Sequence, residues 1–394
     1  MRRPTWIGLA LAGTLGLSAC GGSNPSANST PVQTATTPHI VSTATGGTPS
    51  TATNPGGGTS AGGPVPAGTE ATSVTFISPT TAFVLGTAPC DVQPCSAILR
   101  TTDRGGHWVG LPAPREQVSY YLGDGLWGLR FANAETGYAF GQGLWATADG
   151  GHSWQRATPP QPTVLSLEAV QGRELVAVAQ SCRGGQGCGH QIGVYHEPIG
   201  GSWSQVASAR SYFNAASISV HGSVVWVLAG SELYVSSDAG SSFHTEPQPC
   251  PARLGQAGSV TDDGPHVYVY CFGNGAAGST QKYVYRSAGP GSSWTLAGRP
   301  PAGGDGGEIS AGSDSAILIA TSSGASLLYR STDGGRTWRR ALTEDDGGAG
   351  WSDLGFTTPT DPVVVHGPAL TGSSRPGKLL LSSDAGLSWQ AAGF

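Results

Sequence analysis

Ser331-Thr332-Asp333-Gly334-Gly335-Arg336-Thr337-Trp338 decides the fold, because versions of this segment recur along the chain. It returns as Thr147-Ala148-Asp149-Gly150-Gly151-His152-Ser153-Trp154 and as Thr101-Thr102-Asp103-Arg104-Gly105-Gly106-His107-Trp108. Two more intact copies run from Ser236 through Asp238 to Phe243 and from Ser382 through Asp384 to Trp389. Two are eroded: Ser287 to Trp294 has lost its Asp, and His196 to Trp203 keeps only the Gly and the aromatic. Third positions fall at 103, 149, 198, 238, 289, 333 and 384, so the spacing stays between 40 and 51 residues. A fixed period of roughly 40 to 50 residues marks a propeller or a solenoid.

The residue types explain the turn. Ser or Thr at position one and Asp at position three accept hydrogen bonds from backbone N–H groups inside it. Gly at position five supplies the positive φ that closes a hairpin. The aromatic at position eight, Trp108, Trp154, Phe243, Trp338 or Trp389, is expected to be buried between neighbouring sheets. Asp103, Asp149, Asp238, Asp333 and Asp384 therefore read as structural rather than as catalytic or metal-binding groups.

Between the turns lie four short strand signals per repeat. In the second repeat they are Trp127 to Phe131, Gly137 to Gly141, Leu144 to Thr147 and Ser153 to Ala157. The same order recurs, with inner strands near Ser73 to Ile77 and Trp351 to Phe356 and second strands at Ala82 to Leu85 and Pro362 to His366. Strands this short at such spacing predict an all-β chain, and the repeat makes it a seven-bladed β-propeller of four-stranded antiparallel blades over residues 71–394. A two-sheet sandwich leaves the regular aromatics unexplained. Closure of the ring is open between packing of blade one on blade seven and a short extra strand near Ala67 to Thr72.

The Ser/Thr-x-Asp-x-Gly-x-x-Trp pattern resembles the Asp box of the BNR-repeat proteins. The run Leu129-Arg130-Phe131, then Thr136-Gly137-Tyr138-Ala139-Phe140-Gly141, then Thr147 to Trp154 is similar to blades of the photosystem II assembly factor family. That resemblance implies a non-catalytic scaffold that binds other proteins. Asp boxes also occur in sialidases, which implies an arginine triad, a Tyr nucleophile paired with Glu and an Asp acid in a six-bladed channel. Here a seventh blade and a missing Arg-Ile-Pro signature, with Pro114-Arg115-Glu116 as the nearest string, depart from that pattern.

Ahead of the repeats, Arg2 and Arg3 followed by the apolar stretch Trp6 to Leu17 read as a signal peptide over residues 1–19. Leu17-Ser18-Ala19-Cys20-Gly21 resembles the bacterial lipobox, which implies a lipid on Cys20 and a place on the extracytoplasmic face of the cell membrane. Residues 20–70 are almost wholly Ser, Thr, Pro, Gly, Ala and Asn and are expected to be a disordered tether. As a coil it spans roughly 40 Å.

Without Arg2 and Arg3 the chain carries 18 basic and 25 acidic residues, which argues against nucleic acid. The remaining cysteines fall as Cys90 with Cys95, Cys182 with Cys188 and Cys250 with Cys271, and in an exported chain they read as three disulfides. No CxxC or His spacing suggests zinc, and no cofactor motif is present.

All three pairs are expected on one face of the ring, opposite the repeated turns. The interblade loops of that face hold Arg115, Tyr120, Tyr121, Asp124, Arg210, Tyr212, Phe213, Asp305, Glu308, Asp345, Asp346 and Trp351. As a set they form a candidate binding rim, rich in residue types that dominate protein interfaces and stack on sugars. The expected ligand is a protein or a carbohydrate. The alternative is a glycoside hydrolase using channel carboxylates, of which Asp124, Asp305, Glu308, Asp345 and Asp346 are available.

Overall fold

Runs such as Phe83-Val84-Leu85 and Val225-Trp226-Val227-Leu228 are apolar on both faces, so they are stable only as strands packed on two sides. A computed structural model shows how the repeats use them, and it describes residues 62–92, 95–119, 123–182, 191–210, 216–251, 256–273, 278–367 and 377–394. Cys20 and the expected signal peptide lie outside these residues.

Blade 1 holds β1 (Glu70–Phe76), β2 (Ala82–Thr87), β3 (Ser96–Thr101) and β4 (Val109–Leu111). Blade 2 holds β5 (Leu126–Phe131), β6 (Gly137–Gly141), β7 (Gly143–Thr147) and β8 (Gln155–Ala157). Blade 3 holds β9 (Thr163–Val170), β10 (Glu174–Gln180), β11 (Gln191–Pro198) and β12 (Ser204–Arg210). Blade 4 holds β13 (Ala216–His221), β14 (Val224–Ala229), β15 (Glu232–Ser236) and β16 (His244–Glu246). Blade 5 holds β17 (Gln256–Asp262), β18 (Val267–Phe272), β19 (Lys282–Ser287) and β20 (Thr295–Gly298).

Blade 6 holds β21 (Asp305–Ser313), β22 (Ala316–Ser331) and β23 (Arg339–Gly347). The first half of β22 pairs with β21 and its second half with β23, so it fills two blade positions. Blade 7 holds β24 (Trp351–Phe356), β25 (Pro362–His366), β26 (Lys378–Leu381) and β27 (Gln390–Ala391). Every blade is an antiparallel meander in chain order, and the described residues contain no helix. The molecule is a seven-bladed β-propeller.

The five Asp-bearing turns join the third strand of a blade to its fourth and share one hydrogen-bond plan. In the turn of blade 6, Gly335 N–H donates to Ser331 Oγ at 2.9 Å and Thr337 N–H to Asp333 Oδ1 at 2.9 Å. Position seven adds a bond the pattern did not reveal: Thr337 Oγ1 donates to Asp333 Oδ2 at 2.6 Å. Ser153, Ser242 and Ser388 do the same at 2.6 to 2.7 Å in their own turns. Position four is left-handed as well as position five, even where it is not Gly: Arg104, Ala239 and Ala385 have φ of 59 to 61°. The turn then leans on its own blade, as Arg104 N–H donates to Thr80 O, Gly150 N–H to Glu135 O and Gly334 N–H to Asp314 O, each at 2.8 Å. The third-to-fourth turns thus share a face with the first-to-second turns.

Each junction between successive blades holds one apolar cluster, and each cluster takes in one position-eight aromatic from the later blade. Trp154 of blade 2 packs on Phe83, Leu85 and Ile98 of blade 1, and Trp338 of blade 6 on Tyr268, Tyr270 and Val284 of blade 5. Trp203, Phe243, Trp294, Trp389 and Trp108 repeat this at the other five junctions. These rings are half-buried rather than buried, because the turn sits on the rim and leaves one ring edge facing water.

Ring closure uses packing, not strand exchange: each terminal blade draws its strands from one end of the chain. Ala71, Val74 and Val84 of blade 1 meet Val363, Val365 and Leu379 of blade 7. Arg104 of blade 1 pairs with Asp361 of blade 7 at 2.6 Å, and Phe394 sits edge-on to Trp108 with ring centroids 5.3 Å apart. Before β1, Gly63 exchanges two backbone hydrogen bonds with Gly110, so residues from 62 onward lie along the outer edge of blade 1.

Candidate functional site

The seven inner strands line the central channel, and the channel-facing edge of each would leave backbone N–H groups without a ladder partner. Small polar side chains solve this. Leu129 N–H of β5 donates to Ser73 Oγ of β1 at 3.0 Å, and Phe131 N–H to Thr75 Oγ1 at 3.4 Å. In the same way Asp262 N–H of β17 donates to Ser219 Oγ of β13 at 2.9 Å, and Ile309 N–H of β21 to Ser259 Oγ of β17 at 2.8 Å. Hydroxyls at every second residue of one inner strand thus fasten it to the next.

At two junctions the fastener is a carboxylate. Glu308 Oε2 accepts from Leu354 N–H at 3.3 Å, and Asp353 Oδ2 accepts from Val74 N–H at 2.8 Å. Arg130 of β5 bridges the channel, with Nε 2.6 Å from Glu168 Oε1 of β9 and Nη2 2.9 Å from Asp353 Oδ1 of β24. One guanidinium therefore ties blade 2 to blades 3 and 7, while its Nη1 donates to Leu129 O at 2.8 Å. The three side chains keep 16 to 27% exposure, which the surrounding inner strands confine to the lumen. Asp353 lies at a bulge of β24 with φ 51°, a strained geometry that aims its carboxylate inward.

Charge and burial set the protonation of this group. Burial pushes Glu308 up to about 7, helped by the nearby charge of Asp353 and opposed by Leu354 N–H and Arg130. Burial also raises Glu168, against the opposing pull of Arg130. Three carboxyls and one guanidinium give the channel a net negative lumen. That arrangement can hold blades in register and can receive a cationic group.

Sequence reading named only Glu308 of these four. Arg130, Glu168 and Asp353 were missed, although a charged residue inside an otherwise apolar inner strand, as in Leu126-Trp127-Gly128-Leu129-Arg130-Phe131, was an available signal. Glu308 itself belongs to the channel rather than to a loop rim, because β21 already starts at Asp305.

The other rim candidates divide. Arg115, Asp124, Arg210 and Asp345 are exposed, and Asp305 is half-buried. Asp346 is not a rim residue: its side chain is 4% exposed, and its Oδ2 accepts from Ser326 Oγ at 2.7 Å and lies 2.6 Å from His366 Nε2. Burial works against its ionisation, but Ser326, Gly348 N–H and His366 outweigh it and hold Asp346 at about 2. Trp351 likewise packs inward, with its ring 4.7 Å from that of His366 and Nε1 donating to Thr321 O. Tyr120, Tyr121, Tyr212 and Phe213 lie outside the described residues.

Cys90–Cys95 and Cys250–Cys271 are disulfides, the first within the β2–β3 loop and the second tying the loop after β16 to the end of β18. Cys182 is disulfide-bonded at the end of β10, and its expected partner Cys188 lies outside the described residues. All of these positions share the face opposite the Asp turns.

Channel and blades define a seven-bladed propeller with a charge-clamped core. No protein-family model and no curated protein matches the chain. Among solved structures, it is similar to YCF48 from Cyanidioschyzon merolae, at 16% identity over 82% of this chain and 95% of that one, with a TM-score of 0.51. The structure titled YCF48 bound to D1 peptide is similar at 15% identity over 76% of this chain and 91% of that one, TM-score 0.50. A puromycin hydrolase is similar at 13% identity over 83% of this chain and 54% of that one, TM-score 0.55. At such identities the likeness shows the fold alone.

Proposed function

We propose that the protein is a lipid-anchored propeller on the extracytoplasmic face of a bacterial membrane that binds a protein or glycan without transforming it. The observation that carries this reading is the commitment of the channel charges. Arg130 occupies Glu168 and Asp353, while Asp353 and Glu308 also accept backbone N–H groups of the neighbouring blade. Carboxylates used as fasteners are poorly placed to move protons on a substrate.

The reading includes a lipid on Cys20, a tether that ends where residues from 62 onward join the edge of blade 1, short of the expected limit at 70, and turns of the Asp-box type. A peptide-bound structure among the similar propellers supports a protein ligand. The ligand would meet the disulfide-braced face, which carries the exposed Arg115 and Arg210, and the aromatics expected from the sequence to act with them are Tyr120, Tyr121, Tyr212 and Phe213. In-cell crosslinking tests it: the crosslinked partner should be lost when those four aromatics are replaced by Ala.

One observation favours a hydrolase instead, since Glu308, raised to about 7 by burial, could act as an acid with the Asp353 carboxyl near it. Turnover of sialosides or xyloglucan oligosaccharides that disappears in Glu308→Gln would replace the binding reading with this one.

A further inference from the structure

Blades 6 and 7 leave a notch of about 190 Å³ on the face of the Asp turns, lined by Arg330, Arg339, Arg340, Thr332, Thr337 and Leu387. Arg330 and Arg339 stand directly opposite each other across β22 and β23, and a like-charged cross-strand pair repels. A register shift between Leu328 and Tyr329 bulges β23 at Ala341, while Arg340 pairs with Tyr329 on the opposite face of the strand, towards blade 5. The guanidiniums of Arg330 and Arg339 meet here although the chain as a whole is acidic, with a formal charge of −5.

Nothing nearby neutralises them. Among the described residues no ion pair involves Arg330 or Arg339. The two acids of the flanking turns are engaged, Asp333 by Ser331 and Thr337 and Asp384 by Ser382 and Ser388. Arg336 turns back onto Asp333 O of its own turn at 3.1 Å. Arg330 is held in place, with Nε donating to Ala385 O at 2.6 Å and Nη2 to Ser315 O at 3.4 Å, which leaves Nη1 for a ligand. Pre-set guanidinium forks match the oxygens of a phosphate, and a phosphomonoester brings roughly −1.5 to −2 charges where a carboxylate brings one. Thr332 adds an exposed hydroxyl, and Leu387, 67% exposed, gives the lip an apolar body.

We propose that this notch is a binding site for a phosphate group, presented either on a small soluble ester or on a lipid headgroup. It lies on the face opposite the proposed protein- or glycan-binding rim and stands whether or not that reading holds. The site also explains the repulsive pair, since an anion between Arg330 and Arg339 converts repulsion into two charge-assisted bonds.

Residues 62–394 contain every blade and junction described above, so they serve as the test protein. Calorimetric titration with glycerol phosphate should show binding that weakens with added NaCl and falls at least about tenfold in Arg339→Gln. Arg299→Gln, which alters an exposed arginine stacked on Tyr283, should bind as the parent does. In phosphate-free buffer Arg339→Gln should melt at a higher temperature than the parent, because the repulsion is gone, and added phosphate should no longer raise its melting point. Vesicle flotation separates the sources: binding to phosphatidylglycerol but not phosphatidylcholine, without glycerol phosphate binding, assigns the headgroup. Equal phosphate affinity in parent and Arg339→Gln, or no binding to either source, overturns the proposal.

Discussion

Glu308 shows what a single carboxyl does when a channel closes around it. Its folded-state value, about 7, lies above the ordinary 4.5 because burial disfavours the charged form. A carboxyl shifted upward holds its proton more tightly in the folded ring, so it costs nothing while protonated in both states and costs stability as pH rises from about 4.5 past 7. Glu308→Gln keeps an acceptor for Leu354 N–H and removes the charge. The variant should therefore match the parent at pH 4 and exceed it at pH 8, by on the order of 1–3 kcal/mol. Urea unfolding at the two pH values reads this, and equal stability at pH 8 would show that the lumen solvates Glu308 freely. Arg130 is the opposite case: its two partners lie 38 and 223 residues away in sequence. No local pattern announces such a clamp, which exists only once the inner strands β5, β9 and β24 stand around one axis.

At the scale of the element, the Asp turn was legible because its chemistry is local. Hydroxyl, carboxylate and glycine all act within eight residues, so their spacing alone places the hairpin, and strand limits such as Gly137–Gly141 and Pro362–His366 follow from it. Position seven was not legible: it varies among Ser, Thr and His, and its shared role as a bond to the Asp appears only in three dimensions. Nor could sequence show how an eroded turn survives. Gly289 replaces the Asp in blade 5, and Glu246 of blade 4 reaches over to accept from Gly291 N–H at 2.7 Å. The intact turns carry a shared pH signature. Bonds from position seven and from Ser or Thr at position one hold Asp238, Asp333 and Asp384 at about 2. Carboxylates depressed in the folded state contribute stability above their unfolded value near 4, and that contribution is lost as pH falls towards 2. Asp333→Ala should lower stability at neutral pH by about 1–2 kcal/mol through its lost hydrogen bonds, and by less at pH 2. An unchanged deficit at both pH values would assign the loss to backbone conformation instead of to the ionised side chain.

For the whole molecule, the seam between blades 7 and 1 is the point where covalent continuity is absent. Six junctions join blades that the chain links directly, whereas this one relies on side chains and a few backbone bonds. Asp353 accepts from Val74 N–H, Ala71 N–H donates to Gly377 O, Arg104 pairs with Asp361, and Phe394 covers Trp108. Sequence left closure undecided between packing and a shared strand, because both predict the same seven repeats. Packing alone implies that local opening begins at this seam, since no strand must be pulled from a sheet to separate the two blades. Phe394→Ala removes a half-buried ring from the junction and should cost about 1–3 kcal/mol, less than a fully buried Phe. Hydrogen exchange followed by mass spectrometry should then show the earliest loss of protection in β1, β25 and β26, with β10, β14 and β18 holding theirs. If β14 and β18 exchange as early as β1, the ring opens cooperatively, and the charge clamp at Arg130, which spans blades 2, 3 and 7, makes the seam as strong as any chain-linked junction.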